Sequence, residues 1–454
     1  MKQRINRKQR IGLLIILLSC GISVLWGFAI GQTVSRGALD FQGLYYGSRC
    51  LLQHHNPYNV SELEAVYRAD GGESPSEPIR ARQIVTLYVN LPTTLLFIIP
   101  FAILPWGFAH LAWLMLTAAS LSLAAFLIWD SGANYAPAVS GVLICFALAN
   151  SEILFATGNA AGMVVGLCVV AAWCFIKGRF IPAGILCLAV SLAIKPHDAG
   201  LVWLYFLLAG GIFRKRAIQT LLVTIVLGGA AFLWVSHVAP EWVQGWHSNM
   251  SAITAAGGLN EPGPGSITGS TAGMVIDLQA AISIMRDDPR IYNSVSYMTC
   301  GALLLLWSVR TLKVQFSQSR AWLALASVAA ITMLVSYHRP YDAKLLLLTV
   351  SACAMLWAKG GPVGWIALLL NAAGIALTGD VPLSILVVLT NNLHIDTVGI
   401  FSRILKTVLM RPTPLILLAM GIFYFWVYVR RDPVRAATAE SGEPKGRPHA
   451  LTPA

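Results

Sequence analysis

The chain has 454 residues, of which 56% are hydrophobic and only 11% charged, against roughly a quarter charged in a soluble globular domain. Uncharged stretches recur from Ile11 to Val429 on the length scale of a bilayer-spanning helix. This excludes a soluble enzyme, a nucleic-acid-binding domain and a β-barrel, and it predicts an all-α polytopic membrane protein. The net charge of +12 follows topology instead of nucleic acid. Lys2, Arg4, Arg7, Lys8 and Arg10 precede the first span and Arg430, Arg431 and Arg435 follow the last, so the positive-inside rule puts both termini in the cytoplasm.

In chain order, residues 1–10 are a basic cytoplasmic segment. The span 11–31 is too long for a signal-peptide core and lacks a small-x-small cleavage site, so it reads as a retained helix. A long hydrophilic loop, 32–83, lies outside, and spans follow at 84–104 and 108–129. Segment 138–157 is apolar, yet a crossing there would put Lys177, Arg179 and the Arg214-Lys215-Arg216 cluster outside. A re-entrant hairpin leaving Glu152 to Asn159 on the outer side is therefore expected, its irregular backbone buried in protein or lining a cavity. Spans at 159–176, 180–194, 199–213 and 217–236 lead to a second long outer loop, 237–296. Spans at 297–312, 321–336, 343–358, 361–378 and 413–429 complete about twelve crossings, with 380–411 unassigned. The tail 430–454, rich in Ala, Pro, Gly and charge, reads as disordered and cytoplasmic. Long loops carry function more often than short basic turns, so the chemistry is expected to face away from the cytoplasm.

The first outer loop opens with Asp40, then Tyr45-Tyr46 and His54-His55-Asn56-Pro57-Tyr58. Leu44, Leu51 and Leu52 with the two tyrosines predict a short amphipathic helix on the membrane surface. Asp40 suits either an N-cap of that helix or a general base held at the membrane boundary. Other polar groups collect at outer span ends: Glu152 with Gly158-Asn159, Lys195-Pro196-His197-Asp198, and Tyr337-His338-Arg339-Pro340-Tyr341-Asp342 with Lys344. Ionisable residues at membrane depth are functional candidates, although Lys195 also suits snorkelling and His338-Arg339 an interfacial anchor. A carboxylate gathered with Lys, His and Arg on one face suits an anionic lipid phosphate. Trp242 and Trp246, in the large loop, are candidates for stacking on a sugar. The cysteines lie mostly in apolar segments and show no CxxC or metal spacing, so they read as small hydrophobes. Asp287-Asp288 reads as solvated surface, and neither a metal nor a cofactor is expected.

Asp40, Tyr45-Tyr46, Asn56-Pro57-Tyr58, Asn90-Leu91-Pro92-Thr93, Gly158-Asn159, Ala183-Gly184, Ala193-Ile194-Lys195-Pro196 and Tyr337-His338, in that order, resemble glycosyltransferase family 87. These are GT-C-fold membrane enzymes related to polyprenol-phosphate-mannose-dependent α-mannosyltransferases. The resemblance runs over most of residues 10 to 430 and implies a GT-C-like catalytic domain over 11–429. It also implies transfer of a hexose, mannose in the related enzymes, from a polyprenyl-phosphate donor to a lipid or glycan acceptor. Asp40 would then take the acceptor proton while Lys195 and His338, with Arg339, neutralise the departing phosphate. Tyr45, Tyr46, Asn159, Trp242 and Tyr337 would line the substrate. The setting implied is a bacterial inner membrane with an extracytoplasmic site. Two positions depart from the family pattern, Asn159 where Gln is usual and Leu91-Pro92 where Pro-Pro is expected, and both bear on the donor.

The residue chemistry leads to the same reaction. Inverting transfer needs one base on the attacking hydroxyl and positive charge on the leaving phosphate. It does not need the second carboxylic acid of a hydrolase with an alkoxide leaving group. A transporter or a flippase of lipid-linked glycans is the competing class. A transporter is expected to show repeated halves or paired broken helices near the midplane.

Overall fold

Apolar runs punctuated by Pro and Gly dictate a chain of helices with abrupt ends. In the computed structural model, residues 7–33, 37–71, 79–263, 275–391 and 399–430 are described. They form α1 (Arg7–Thr33), α2 (Leu39–Leu52), α3 (Val60–Ala69), α4 (Ile79–Thr86), α5 (Pro92–Ala102), α6 (Trp106–Gly132) and α7 (Pro137–Ala149). Next come α8 (Glu152–Thr157), α9 (Ala161–Lys177), α10 (Ile181–Ile194), α11 (Pro196–Leu208), α12 (Gly211–Val238), α13 (Trp242–Thr254) and α14 (Leu278–Met285). The series ends with α15 (Pro289–Lys313), α16 (Gln318–Val335), a 3-10 turn (Asp342–Leu346), α17 (Leu347–Lys359), α18 (Gly361–Leu377), α19 (Asp380–Asn391), α20 (Ile400–Met410) and α21 (Pro412–Val429). Every element among the described residues is helical.

Six helices are long and apolar enough to cross a bilayer: α1 over Arg7–Ala29, then α6, α12, α15, α16 and α21. The pair Gly361–Leu377 and Asp380–Leu386, bent by 77°, makes a seventh if it is one broken span. The chain is thus a multi-span membrane protein, but twelve independent crossings are not what the helix lengths give. Hydropathy windows count apolar runs; α9 and α18, at 17 residues each, stand at the lower limit of a bilayer span, and α10, at 14, falls short of it. Segment 138–157 is divided between α7 and α8 by a break at Asn150-Ser151. The tail beyond Arg430 and the residues before Arg7 lie outside the described residues.

α16 is the structural centre. It packs on α21, α17 and α11, and from Ala321 to Leu334 every residue is buried. Such all-round burial marks a helix surrounded by other helices. α12 and α15, by contrast, carry exposed Ile225, Val226, Leu233, Met298 and Leu305, the composition expected of a lipid-facing surface.

The segment 32–83 contains α2, which is covered on nearly every side: ten of its fourteen residues are buried, and it packs on α5 and α4. The expected surface helix is an internal one, because its amphipathic pattern gives the face that is buried but not what else covers it. Tyr45 and Tyr46 are buried at 1% and 2% exposure. Their rings pack edge-on at 5.0 Å from each other, with Tyr45 on Trp106 and Tyr46 on Tyr67.

Candidate active site

Three chain breaks, each legible in local chemistry, bring the polar residues together. The first is at the start of α2. Ala38 adopts a left-handed conformation (φ 52°) and donates its N–H to Ala156 O at 2.8 Å, pinning the start of α2 to α8. Gly158, at φ 64°, turns the chain out of α8; its carbonyl accepts from Trp113 Nε1 at 2.8 Å, and Trp113 stacks on Phe41 at 4.9 Å. Glycine is required at 158 by conformation and by space, since a Cβ there would lie 2.8 Å from Phe41 Cβ.

Asp40 and Asn159 therefore face each other. Asn159 Nδ2 donates to Asp40 Oδ2 at 2.8 Å, and its Oδ1 accepts the Ala161 amide at 2.9 Å. The orientation of the amide is forced, because an ionised carboxylate can only accept and a backbone N–H can only donate. Asp40 is in the first turn of α2 but is not its cap, a position held by Ala38. Its side chain is half-buried and accepts the Asn159 hydrogen bond.

The second break is at Lys195. Proline at 196 disfavours helical backbone in the residue before it, so α10 stops at Ile194 and Lys195 adopts φ −137°, ψ 80°. Its Nζ lies 2.5 Å from Asp342 Oδ1 and 3.2 Å from Asp198 Oδ2, and 5.7 Å from the centre of the Tyr341 ring. Burial works against an ammonium here, but Asp198 and Asp342 overcome it and raise Lys195 above the ordinary lysine range.

The third break follows α16, which ends at Val335 with Ser336 extended (φ −147°, ψ 176°); Pro340 disfavours helical backbone at Arg339 within that irregular stretch. The Arg339 amide donates to Asp342 Oδ2 at 2.7 Å. Its guanidinium donates to the Tyr337 hydroxyl and to Leu259 O, the latter at 3.0 Å, and approaches Asn260 Oδ1 at 3.5 Å. Burial opposes its charge, and the fields of Tyr337, Tyr341 and Asp40 more than compensate, so Arg339 is held above its ordinary value.

The polar residues differ in burial: Asp40, Asn159, Lys195, Tyr337, Arg339 and Tyr341 are half-buried, while Asp198, His338 and Asp342 are fully enclosed. The Nδ1 of His338 is 2.8 Å from Ser336 O and its Nε2 is 3.2 Å from Asp198 Oδ1. Asp198 and Asp342, which set the position of Lys195, carry no isolated sequence signal as site residues; only their membership of the polar span-end segments pointed to them. Trp242 is buried against Tyr58 and donates to Ser236 Oγ at 3.0 Å, and Trp246 donates to Val89 O at 2.8 Å. Both rings brace α13.

A multi-span helical body thus carries a half-buried carboxylate, an ammonium and a guanidinium at helix ends and on the irregular segments between its helices. The chain belongs to glycosyltransferase family 87, whose family model matches residues 88–337, more than half of the sequence, and it is a membrane glycosyltransferase that takes a sugar donor and an acceptor. The matched region holds Asn159, Lys195, Trp242 and Tyr337, whereas Asp40, His338 and Arg339 lie outside it. No curated protein and no solved structure matches the chain.

Proposed function

We propose that the protein transfers a hexose, mannose in the first instance, from a polyprenyl-phosphate carrier to a lipid or glycan acceptor at the extracytoplasmic face of a bacterial inner membrane, with inversion at the anomeric carbon. The observation that carries the reading is the half-buried Asp40 carboxylate held by Asn159 at 2.8 Å, in a membrane glycosyltransferase whose Lys195 and Arg339 are also half-buried cations. The acceptor hydroxyl attacks the anomeric carbon as its proton passes to Asp40. The bond from that carbon to the phosphate oxygen breaks, and the electron pair leaves with the polyprenyl phosphate. Asn159 keeps Asp40 oriented through its 2.8 Å hydrogen bond. Arg339 and Lys195 offset the charge that develops on the departing phosphate, and fixed charges in a water-poor site act with little reorganisation. A phosphate leaves without protonation. His338 and Asp198 serve by fixing Lys195 and the 336–342 segment.

The test is transfer of label from polyprenyl-phosphate sugars into lipid- and glycan-soluble fractions by membranes with and without the protein. Incorporation from a polyprenyl-phosphate hexose that depends on the protein is the expected result. Dependence on a nucleotide sugar, with none from polyprenyl-phosphate donors, would overturn the donor assignment.

A further inference from the structure

His197, Asp198 and His338 converge beside Lys195. The His338 Nε2 is 3.2 Å from Asp198 Oδ1, and His197 Nε2 is 4.0 Å from the same oxygen. One ligand atom from each of the three residues falls within 4.8 Å of the others. The two imidazoles stand 5.2 Å apart at 63°.

The hydrogen-bond inventory defines what this gap can hold. Ser336 O is only an acceptor, so the 2.8 Å contact makes His338 Nδ1 the protonated nitrogen. Nε2 then presents a lone pair toward a carboxylate oxygen, unless a cation stands between them. Asp198 Oδ2 is held by the Lys195 ammonium at 3.2 Å, whereas Nε2 and Asp198 Oδ1, 3.2 Å apart, have no hydrogen-bonding partner besides each other among the described residues, and both side chains are 0% exposed. A bond from the far nitrogen to a backbone carbonyl is the arrangement that orients a metal-ligating histidine. A proton between His338 and Asp198 would satisfy that pair alone and would not account for the second imidazole. Ligands about 2.0–2.2 Å from one zinc-like ion stand roughly 3.3–3.6 Å apart in tetrahedral geometry and at most about 4.4 Å; the 3.2 Å pair lies just inside the tetrahedral spacing and the 4.0 Å pair within the upper bound.

We propose that His197, Asp198 and His338 form a binding site for a divalent transition-metal ion of the zinc class. Two imidazoles and one carboxylate favour such an ion over Mg²⁺ or Ca²⁺, which prefer all-oxygen shells. The charges are separated on Asp198: Oδ2 faces the Lys195 ammonium, while Oδ1 faces the imidazoles. The His197 side chain, at 38% exposure, gives the ion a route from solvent and leaves room on that side for water. Sequence spacing does not reveal the set, because its third ligand comes from the far side of the chain.

The experiment uses full-length protein in detergent, purified without a histidine tag and stripped with chelator. It is titrated with Co²⁺, read by visible ligand-field absorption, and then with competing Zn²⁺, and bound metal is counted by elemental analysis. One equivalent is expected, with affinity falling at least about tenfold in His197→Ala and His197→Gln and unchanged in His247→Ala. Thermal unfolding of the metal-free forms should be alike, since His197 is the outermost of the three. Absence of stoichiometric binding by the wild type, or equal binding by the His197 variants, would overturn the proposal. Neither result depends on which sugar is transferred.

Discussion

Lys195 has two separable tasks in this account, and a pair of substitutions tells them apart. Lys195→Met removes an ammonium that stands 2.5 Å from Asp342 and 3.2 Å from Asp198, both carboxylates being 0–1% exposed. Breaking a buried pair by removing one partner costs about 3–5 kcal/mol, because the remaining charge has no counter-ion. Adding Asp342→Asn removes one of the two orphaned charges, and its amide oxygen can still accept the Arg339 amide. About half of the loss, roughly 2 kcal/mol, should return. Transfer behaves differently: losing a preorganised charge at the leaving group costs on the order of 10²–10³ in rate, and restoring charge balance does not replace it. We expect thermal midpoints in detergent, at one scan rate, to fall in the single variant and recover in part in the double. Turnover should stay low in both. Recovery of stability and turnover together would show that Lys195 only neutralises its carboxylates, and the assignment of Lys195 to the donor phosphate would fail.

The remaining expectations concern single positions. Asn159→Ala deletes the charge-assisted hydrogen bond to Asp40 and the cap on Ala161; turnover should fall about 10–100-fold, the equivalent of roughly 1.5–3 kcal/mol, and stability by about 1 kcal/mol. Gly158→Ala meets both a positive φ and Phe41 Cβ at 2.8 Å, so it should lower the thermal midpoint and, by shifting Asn159, turnover as well; a silent substitution would contradict the described turn. Arg339→Lys keeps the charge but cannot reproduce the fork that spans Tyr337, Leu259 and Asn260; initial rates across donor concentrations should show reduced turnover, and wild-type rates would remove the guanidinium geometry from the account. Lys344→Met strips the ammonium held by Ala147 O at 3.2 Å and Asn150 O at 2.5 Å, beside buried Glu152 and Asp380, and should lower the thermal midpoint whether or not substrate is present.

The polar residues of the candidate site stood out in the sequence for a physical reason. Charged side chains at span ends must be buried, paired or functional, so Asp40, Lys195 and the 337–342 run stood out against 11% charge overall. The proline at 196 also marks in advance where α10 ends. Partnership was not legible. Asp198 and Asp342 read as two more polar residues until the fold brought α10, α11 and the 3-10 turn together, and His338, flanked by aromatics, gave no sign that it would be fully enclosed. Tyr45 and Tyr46 show the limit of amphipathicity: a half-apolar helix on a membrane surface and a helix roofed by α4 and α5 have the same sequence pattern. The span count shows another limit, because an apolar run of 14 residues can be a short internal helix held by its neighbours as well as one half of a crossing.

Asp40 carries the central claim. The most direct measurement compares wild type with Asp40→Asn at matched expression and matched thermal midpoint, following label from polyprenyl-phosphate hexose into product. Asparagine retains the size of the side chain and its oxygen can still accept the Asn159 amide, but it cannot take a proton. Removing a general base costs about 10²–10⁴ in rate, so transfer by the variant should fall by that factor while donor binding persists. Transfer within a few-fold of wild type would contradict the account and require the acceptor proton to go elsewhere.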